Sequence, residues 1–211
     1  MNIDGLVARF PRLWHATYPG GWEGISSTGL RTATDLLASG GRAAEAEALR
    51  PEAVALTTAD GAATLREQTC NRPDPAPYLD AMTVPEWWTL LNSRSYYFVD
   101  REALDRMVEA SLERGIAQEV ITFETRRLLA PVADHVEITT INASVFPRAT
   151  GPARGRSTFQ PLADYAGLAT KIKEVTITVP VQVADAAVVS VVTQAPGLDP
   201  VRIFPRVRAR A

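Results

Sequence analysis

Three short motifs in this sequence carry side chains that can do chemistry. Residues 13–17 form an apolar run around His15, Tyr96 and Tyr97 stand together in an aromatic run, and Glu174 opens an alternating stretch of Val, Thr and Ile. An imidazole can donate or accept a hydrogen bond, an aromatic ring can stack on a planar ligand, and a carboxylate can stabilise a developing positive charge. Taken singly, each motif is better explained by an ordinary structural role: a core histidine, tyrosines that pack in a sheet, and a surface carboxylate.

The elements that must position these motifs follow from residue periodicity and strand-forming residue types. Predicted strands cover residues 13–17, 53–58, 63–65, 95–99, 118–123, 136–141, 174–181 and 188–192. Predicted helices cover residues 22–30, 40–50, 101–115 and 125–130, and two more begin at Thr34 and Thr83. The chain is therefore predicted to be an α+β domain.

Local signals mark several boundaries of these elements. Asp60-Gly61 is a hairpin turn dipeptide between two predicted strands. Thr83 is followed three residues later by Glu86, which is the pattern of a helix capping box. Residues 142–169 contain Gly and Pro throughout and are predicted to form a long loop, which in a compact domain is usually functional or disordered.

Composition bounds the class of protein. The chain has 211 residues, 46% of them apolar and 22% charged, with a formal net charge of -2. A chain of this length can bury a sizeable core without disulfide bonds or structural metals. Its net charge does not predict nucleic-acid binding. The single cysteine, Cys70, permits no internal disulfide. With no signal peptide and no apolar stretch of about 20 residues, we expect a cytoplasmic protein without a membrane span.

Several site types are disfavoured by the residues present. Two histidines, His15 and His135, and one cysteine make a metal site unexpected. Residues 151–158 partly match the sequence pattern of a phosphate-binding loop. However, they have three residues between the glycines, and Arg156 stands where the pattern requires Lys. No Gly-x-Gly-x-x-Gly or Gly-x-Ser-x-Gly motif occurs. We predict one domain over residues 1–195 and a basic tail over residues 196–211.

The order of the three motifs resembles that of ADP-ribosyltransferases and tRNA 2′-phosphotransferases. In those enzymes a His-x-Thr strand, here His15-Ala16-Thr17, precedes a helix that ends in Gly-Leu, here Gly29-Leu30. An aromatic strand and then a strand that opens with Glu complete the His-Tyr-Glu arrangement. The chain resembles in particular the DarT-type nucleic-acid ADP-ribosyltransferases, over three short motifs.

Nearly the whole chain is similar to an uncharacterised bacterial domain-of-unknown-function family. The similarity includes Leu-x-His at residues 13–15, Leu-Asn-x-Arg at residues 91–94, and Arg-Gly-x-x-Thr-Phe-x-Pro-Leu-x-x-Tyr at residues 154–165. The resemblance assigns no role to these motifs.

The transferase resemblance implies that NAD is bound as a substrate. It implies that His15 bonds the ribose hydroxyls of the adenosine, that the backbone of Ala16 holds the nicotinamide amide, and that Tyr96 or Tyr97 stacks on the nicotinamide ring. Strand alternation allows only one of the two tyrosines to face the cleft. Glu174 would stabilise the oxocarbenium-like charge that grows as nicotinamide leaves.

The residues implied as catalytic are Glu174, His15 and Tyr97. Those implied to bind NAD are His15, Ala16, Thr17, Tyr96, Tyr97, Arg94, Arg154 and Arg156. For the diphosphate the candidates Arg31, Arg66 and Arg94 stay open. Alanine at position 16, where the family usually has Gly, narrows the approach of the nicotinamide.

The resemblance further implies a split, twisted antiparallel sheet flanked by helices, with His15, one of the two tyrosines and Glu174 lining one cleft. The acceptor of ADP-ribose would be a nucleic acid or a protein. The alternative is a non-catalytic nucleotide- or partner-binding domain of the same fold.

Overall fold

A computed structural model describes residues 1–146, 151–183 and 187–205 of the chain. The helices are α1 (Ile3–Arg9), α2 (Gly21–Thr28), α3 (Ala33–Ser39), α4 (Val84–Asn92), α5 (Arg101–Glu113) and α6 (Thr125–Leu129). The strands are β1 (Arg12–Thr17), β2 (Val54–Thr58), β3 (Gly61–Leu65), β4 (Ser95–Phe98), β5 (Gln118–Glu124), β6 (Val136–Thr139), β7 (Gln160–Pro161), β8 (Glu174–Ile177), β9 (Val188–Gln194) and β10 (Val201–Phe204). The prediction of a mixed helix-and-strand domain is thus confirmed.

Eight of the strands form one antiparallel sheet in the order β10-β9-β5-β1-β4-β8-β6-β7. The order differs from the order along the chain, so strands that are distant in sequence lie side by side. Thus β1, near the N-terminus, lies between β5 and β4, and β8 lies between β4 and β6. The motifs that contain His15, Tyr96 and Glu174 are thereby brought onto three neighbouring strands.

The two faces of this sheet pack against different layers. Leu13 and Ile121 point to one face, and both are fully buried in a main core that also contains residues of α1 and α6. Ala16 and Val120 point to the other face, where α5 covers them with Leu104 and other apolar side chains. Helices therefore pack against both faces of the sheet.

The junction between β1 and β4 is the weakest pairing in the centre of the sheet. Whereas β1 pairs with β5 along six residues, it pairs with β4 only at Trp14 and Phe98. Beyond this pair, the carbonyl oxygen of Tyr96 lies 2.9 Å from Nδ1 of His15. The imidazole of His15 thus bonds the carbonyl of Tyr96. If the pairing of β1 with β4 continued, a backbone N–H group would bond there instead.

The remaining strands, β2 and β3, form a separate hairpin whose turn contains Asp60 and Gly61, as predicted. Gly61 has a φ of 122°, which a residue with a Cβ rarely adopts. The hairpin packs Leu56 and Leu65 against Leu37 of α3 and against Ala46 in a small core. It stands beside the main sheet without joining it.

Of the two predicted helix caps, one is confirmed and the other is wrong. Thr83 caps α4 through reciprocal hydrogen bonds with Glu86, as predicted. The cap of α3 was assigned wrongly to Thr34, because Thr32 and Asp35 form the capping box there. The predicted helix over residues 40–50 reduces to a 3-10 helix at Ala43–Glu47, after Gly41 takes a positive φ.

The segment predicted as a long loop is largely irregular where it is described. It contains β7 and short 3-10 helices. Its aromatic side chains at Phe146, Phe159 and Tyr165 are buried, whereas Val145 and Leu168 are exposed. Phe146 and Phe159 pack with Trp87 and Trp88 of α4 in a second core, here called the tryptophan core. The segment is thus part of the packed structure.

The chain beyond residue 195 continues the main sheet. Strand β10 pairs with β9, so the sheet extends past the predicted boundary between domain and tail. Three of the arginines that make the tail basic, Arg206, Arg208 and Arg210, lie outside the described residues.

Candidate functional site

A cavity of about 570 Å³ opens between the β1–β4 junction, α2 and the β2–β3 hairpin. Its volume lies within the range of small-molecule binding sites. The lining includes residues 15–18 from β1 and the loop after it, Thr58 and residues 60–69 from the hairpin and the chain that follows it, residues 94–98 from the β4 region, and Glu174. Of the residues predicted to act in catalysis or binding, His15, Ala16, Thr17, Arg94, Tyr96, Tyr97 and Glu174 line this cavity.

His15 is held in one orientation and one protonation state. Burial lowers its pKa to about 4, against the opposing effect of the hydrogen bond to Tyr96, so the imidazole is neutral at pH 7. A backbone carbonyl can only accept, and therefore Nδ1 carries the proton that is donated to Tyr96. The second ring nitrogen, Nε2, is consequently an acceptor, suited to a hydroxyl group of a ligand.

The two tyrosines have different surroundings. The ring of Tyr97 is 1% exposed and packs at 5.9 Å between centroids from both His15 and Phe123. Tyr96 is partly exposed, and its hydroxyl donates to the carbonyl of Leu91 at 3.1 Å. Burial raises the pKa of both phenols, so both stay protonated. Tyr96 is the less buried of the two residues, and its ring packs edge-on against Phe159 at 6.3 Å between centroids. Tyr97 is the tyrosine that the resemblance implies to be catalytic.

Glu174 is a carboxyl group with an unusual pKa. Burial raises its pKa to about 7, although a hydrogen bond from the backbone of Ala143 at 3.2 Å and the charge of Arg154 act in the opposite direction. The group is therefore divided between its acid and carboxylate forms near neutral pH. Such a shift in a cavity is common among groups that act on a ligand, although structural groups also show it.

Strand register places these side chains on two different faces of the sheet. Trp14 pairs with Phe98, and Phe98 pairs with Glu174, so these three side chains share one face. His15 and Tyr97, each adjacent in sequence to a member of that row, point to the other face. This separation counts against the expectation that His15 and Glu174 face the same cleft, so one ligand could touch both only through the opening where β1 and β4 part.

The three arginines predicted to bind NAD lie in different environments. Arg94 lines the cavity, but its guanidinium donates to Glu137 at 2.7 Å and lies 4.3 Å from the ring centre of Phe159. Arg154 is buried and Arg156 is exposed, and neither lines the cavity. The structure thus leaves Arg154 and Arg156 out of the cavity lining, although Arg154 lies near enough to Glu174 for its charge to lower the pKa of that carboxyl.

The motif at residues 154–165 is explained by packing behind Glu174. Arg154 donates to the carbonyl oxygens of Pro152, at 2.7 Å, and of Val145, which ties the two described ends of the segment together. The Cβ of any larger residue at Gly155 would lie 2.9 Å from the backbone oxygen of Asp80. These residues shape the wall beside Glu174.

Asn92, from the Leu-Asn-x-Arg motif, joins three parts of the cavity wall. Its amide nitrogen donates to the carbonyl of Ala46 at 2.9 Å, and its amide oxygen accepts from Gln68 at 3.0 Å and from Arg50 at 3.3 Å. Asn92 is 2% exposed, so its bonds are made away from solvent. Its role is to position the chain on both sides of the hairpin.

Arg50 lines the cavity and was not among the predicted residues. Arg50 precedes β2 and Arg66 follows β3, and the antiparallel pairing of Val54 with Leu65 brings them to the same end of the hairpin. The predicted hairpin contained the signal needed to find this pair, because its turn determines which flanking residues meet.

Glu119 was also not predicted, and it supports the cavity from β5. Its carboxylate accepts from the backbone nitrogens of Gly20 and Trp22, each at 2.8 Å. A carboxylate at this position satisfies free N–H groups at the start of α2 and complements the helix dipole. It thereby holds the turn that forms one rim of the cavity.

The described residues contain neither a metal-binding cluster nor a membrane-spanning helix. In residues 1–146, 151–183 and 187–205, no group of three or more His, Cys, Asp or Glu side chains is arranged to hold a metal ion. The helices of the same ranges all lack the length and apolar character of a membrane span.

Comparison with known proteins gives one match. Neither the curated proteins nor the solved structures include a match to this chain. A family model described as a family of unknown function, DUF7002, matches residues 11–190, which contain all the strands that line the cavity. This confirms the expected membership of a domain-of-unknown-function family. The protein belongs to the family DUF7002.

Proposed function

We propose that this protein binds NAD in the cavity and transfers ADP-ribose from it to a nucleic-acid or protein acceptor. The observation that carries the proposal is the presence of His15, Tyr96 and Glu174 in the lining of one cavity. The three come from strands that are neighbours only after folding. Their chemistry matches the order of motifs that resembles the His-Tyr-Glu transferases, and the volume suits a small-molecule ligand.

Each side chain has a distinct part in the proposed reaction. Nε2 of the neutral His15 accepts a hydrogen bond from a ribose hydroxyl of the adenosine. The ring of Tyr96, the less buried of the two tyrosines, stacks on the nicotinamide; the proposal thus chooses Tyr96 where the sequence left both tyrosines open. Glu174, in its carboxylate form, lies against the ribose that bears the nicotinamide.

The reaction breaks the bond between C1′ of that ribose and the nicotinamide nitrogen. The bonding electrons leave with nicotinamide, which departs uncharged, and a positive charge develops at C1′. Carboxylate stabilisation of that charge lowers the barrier. An oxygen or nitrogen of the acceptor then forms the new bond to C1′ and releases its proton to water.

A non-catalytic nucleotide- or partner-binding domain is the second candidate. It is favoured by the strand register, which separates His15 from Glu174, and by the burial that keeps part of the Glu174 population protonated near pH 7. In this alternative the cavity would hold a ligand but would not cleave it.

Incubation with NAD labelled in the nicotinamide ring separates the two candidates. With oligonucleotide and protein acceptors present, the enzyme should release nicotinamide, and Glu174→Gln should abolish most of the release. Binding of NAD in a calorimeter without any release would support the non-catalytic alternative. Absence of both release and binding would overturn the assignment of NAD to this cavity.

A further inference from the structure

The cavity contains four arginines, and carboxylates pair with only two of them among the described residues. Arg31 contacts Asp60 at 3.0 Å, and Arg94 contacts Glu137 at 2.7 Å. Arg50 and Arg66 line the same cavity with no carboxylate oxygen within 4.0 Å in the part of the chain that the structure describes. These two guanidiniums at the open end of the hairpin are the starting point of the inference.

Arg66 has the less satisfied guanidinium of the pair. One terminal nitrogen of Arg66 lies 3.4 Å from the sulfur of Met107, which is a weak acceptor, and the guanidinium carbon lies 5.9 Å from the ring centre of Tyr18. Glu67, next in the chain, is engaged with Tyr18 and with Arg114. A guanidinium offers five donors, so most of those on Arg66 are left for a group in the cavity.

Arg50 is hydrogen-bonded to the backbone of Arg66. Its Nε donates to the carbonyl of Arg66 at 2.7 Å, and one terminal nitrogen donates to Asn92 at 3.3 Å. Burial lowers the pKa of both guanidiniums, and the residual charge of Glu67 partly compensates for this effect. Partly desolvated cations of this kind gain most from an anion that accepts several hydrogen bonds at once.

We propose that Arg66, supported by Arg50, forms a subsite for the phosphate groups of a nucleotide ligand. Arg66 is near enough to His15 for its charge to lower the pKa of the imidazole. In a nucleotide the phosphate is joined to the ribose, so a ribose hydroxyl at His15 and a phosphate at Arg66 are compatible with one molecule. The inference rests on the proposed function for the identity of the nucleotide, and it assigns the diphosphate to Arg66 instead of Arg94.

Calorimetry with ADP, pyrophosphate and adenosine tests the subsite without any need for turnover. The wild-type protein should bind ADP and pyrophosphate, and adenosine should bind more weakly because it lacks phosphate. Arg66→Gln should weaken ADP binding about 10- to 100-fold, as loss of charge-assisted hydrogen bonds does, while adenosine binding should stay unchanged. Arg66→Lys, which keeps the charge but not the fork of donors, should give an intermediate loss.

Arg106→Gln is the matched control, because Arg106 is an exposed arginine of α5 that does not line the cavity. It should bind ADP as the wild type does. Equal ADP affinity in Arg66→Gln and wild type, with the variant shown to be folded by its urea unfolding curve, would overturn the subsite. So would a wild type that binds none of the phosphate probes. If ADP binds through Arg66 but NAD is never cleaved, the transferase proposal fails while the subsite stands.

Discussion

Nδ1 of His15 lies 2.9 Å from the carbonyl oxygen of Tyr96, so the imidazole connects β1 to β4 where their backbone pairing has ended. The contact gives His15 two functions that can be separated. One ring nitrogen supports the junction between the strands, and in the proposed function the other accepts a hydrogen bond from the ligand.

His15→Ala should weaken NAD binding about 5- to 10-fold, because the contact with the ribose exists before any bond breaks. Calorimetric titration with NAD measures the loss. His135→Ala is the matched control, since His135 is an exposed histidine outside the cavity lining and its removal should leave the affinity unchanged. An unaltered affinity in His15→Ala would remove the histidine from the binding site.

Glu174→Gln should keep the fold and most NAD affinity, since Gln preserves size and hydrogen bonding. Turnover should fall by roughly 10² to 10³, as is common when one electrostatic contact to the transition state is lost. The rate of nicotinamide release under saturating NAD is the measurement. Glu109→Gln, on the exposed surface of α5, should release nicotinamide at the wild-type rate. Equal rates in all three proteins would exclude a catalytic role for Glu174.

The raised pKa of Glu174 predicts a pH dependence of stability. The folded protein binds this proton more tightly than the unfolded chain does, so the stabilisation is complete below the ordinary carboxyl pKa and is lost as pH rises through about 7. From pH 5 to pH 8 the wild type should lose roughly 2–3 kcal/mol relative to Glu174→Gln. His15 is present in both proteins, so its own titration cancels in the comparison.

Urea unfolding of both proteins at several pH values measures this difference. Unfolding free energies that change in parallel with pH would mean that Glu174 ionises with an ordinary pKa in the folded state.

Arg154→Met should destabilise the fold. Its buried guanidinium donates to the carbonyls of Pro152 and Val145, and removal of these bonds should cost about 2–4 kcal/mol of unfolding free energy. Arg156→Met, two residues away on an exposed side chain, should change the unfolding free energy by about 0.5 kcal/mol or less. Urea unfolding compares the two, and similar small effects would contradict the structural role of Arg154.

Gly29→Ala should also be destabilising, by about 2–4 kcal/mol. Gly29 has a φ of 87°, and a Cβ at this position would lie 2.6 Å from the backbone oxygen of Val181. Gly115→Ala is the control for the backbone angle alone, because Gly115 has a φ of 78° but no atom within 4 Å of a Cβ. Thermal unfolding of the two variants should show the larger loss for Gly29→Ala, and equal losses would argue against the close approach.

Local features of the fold were predictable because neighbouring residues determine them. Asp60-Gly61 specifies a tight turn, and Thr83 with Glu86 specifies a helix start, whatever the rest of the chain does. The order of strands was not predictable, since it depends on contacts such as that between Trp14 and Phe98, far apart in sequence. The strand at Val201–Phe204 was missed for the same reason, because its pairing with β9 supplies the hydrogen bonds.

The candidate site was predictable in its residue types but not in its geometry. Sequence order named His15, Tyr96 or Tyr97, and Glu174, and all of these residues line the cavity. Whether two residues on different strands face the same side depends on register, which a sequence without pairing information does not contain. Similarly, nothing in the sequence distinguishes the environments of Arg154 and Arg66. In the folded chain Arg154 is buried and bonded to carbonyl groups, whereas Arg66 lies beside the cavity.

The separateness of the β2–β3 hairpin gives the cavity walls unequal rigidity. His15 and Glu174 stand on strands with partners on both sides, whereas the hairpin and its flanks are attached by the small core, by the bonds of Arg50 and Gln68 to Asn92, and by the ion pair of Arg31 with Asp60. The hairpin lacks the strand pairing that holds the central strands of the main sheet, so it should open locally at a lower free energy than they do. A ligand held by Arg66 would therefore tie this less rigid wall to the more rigid one.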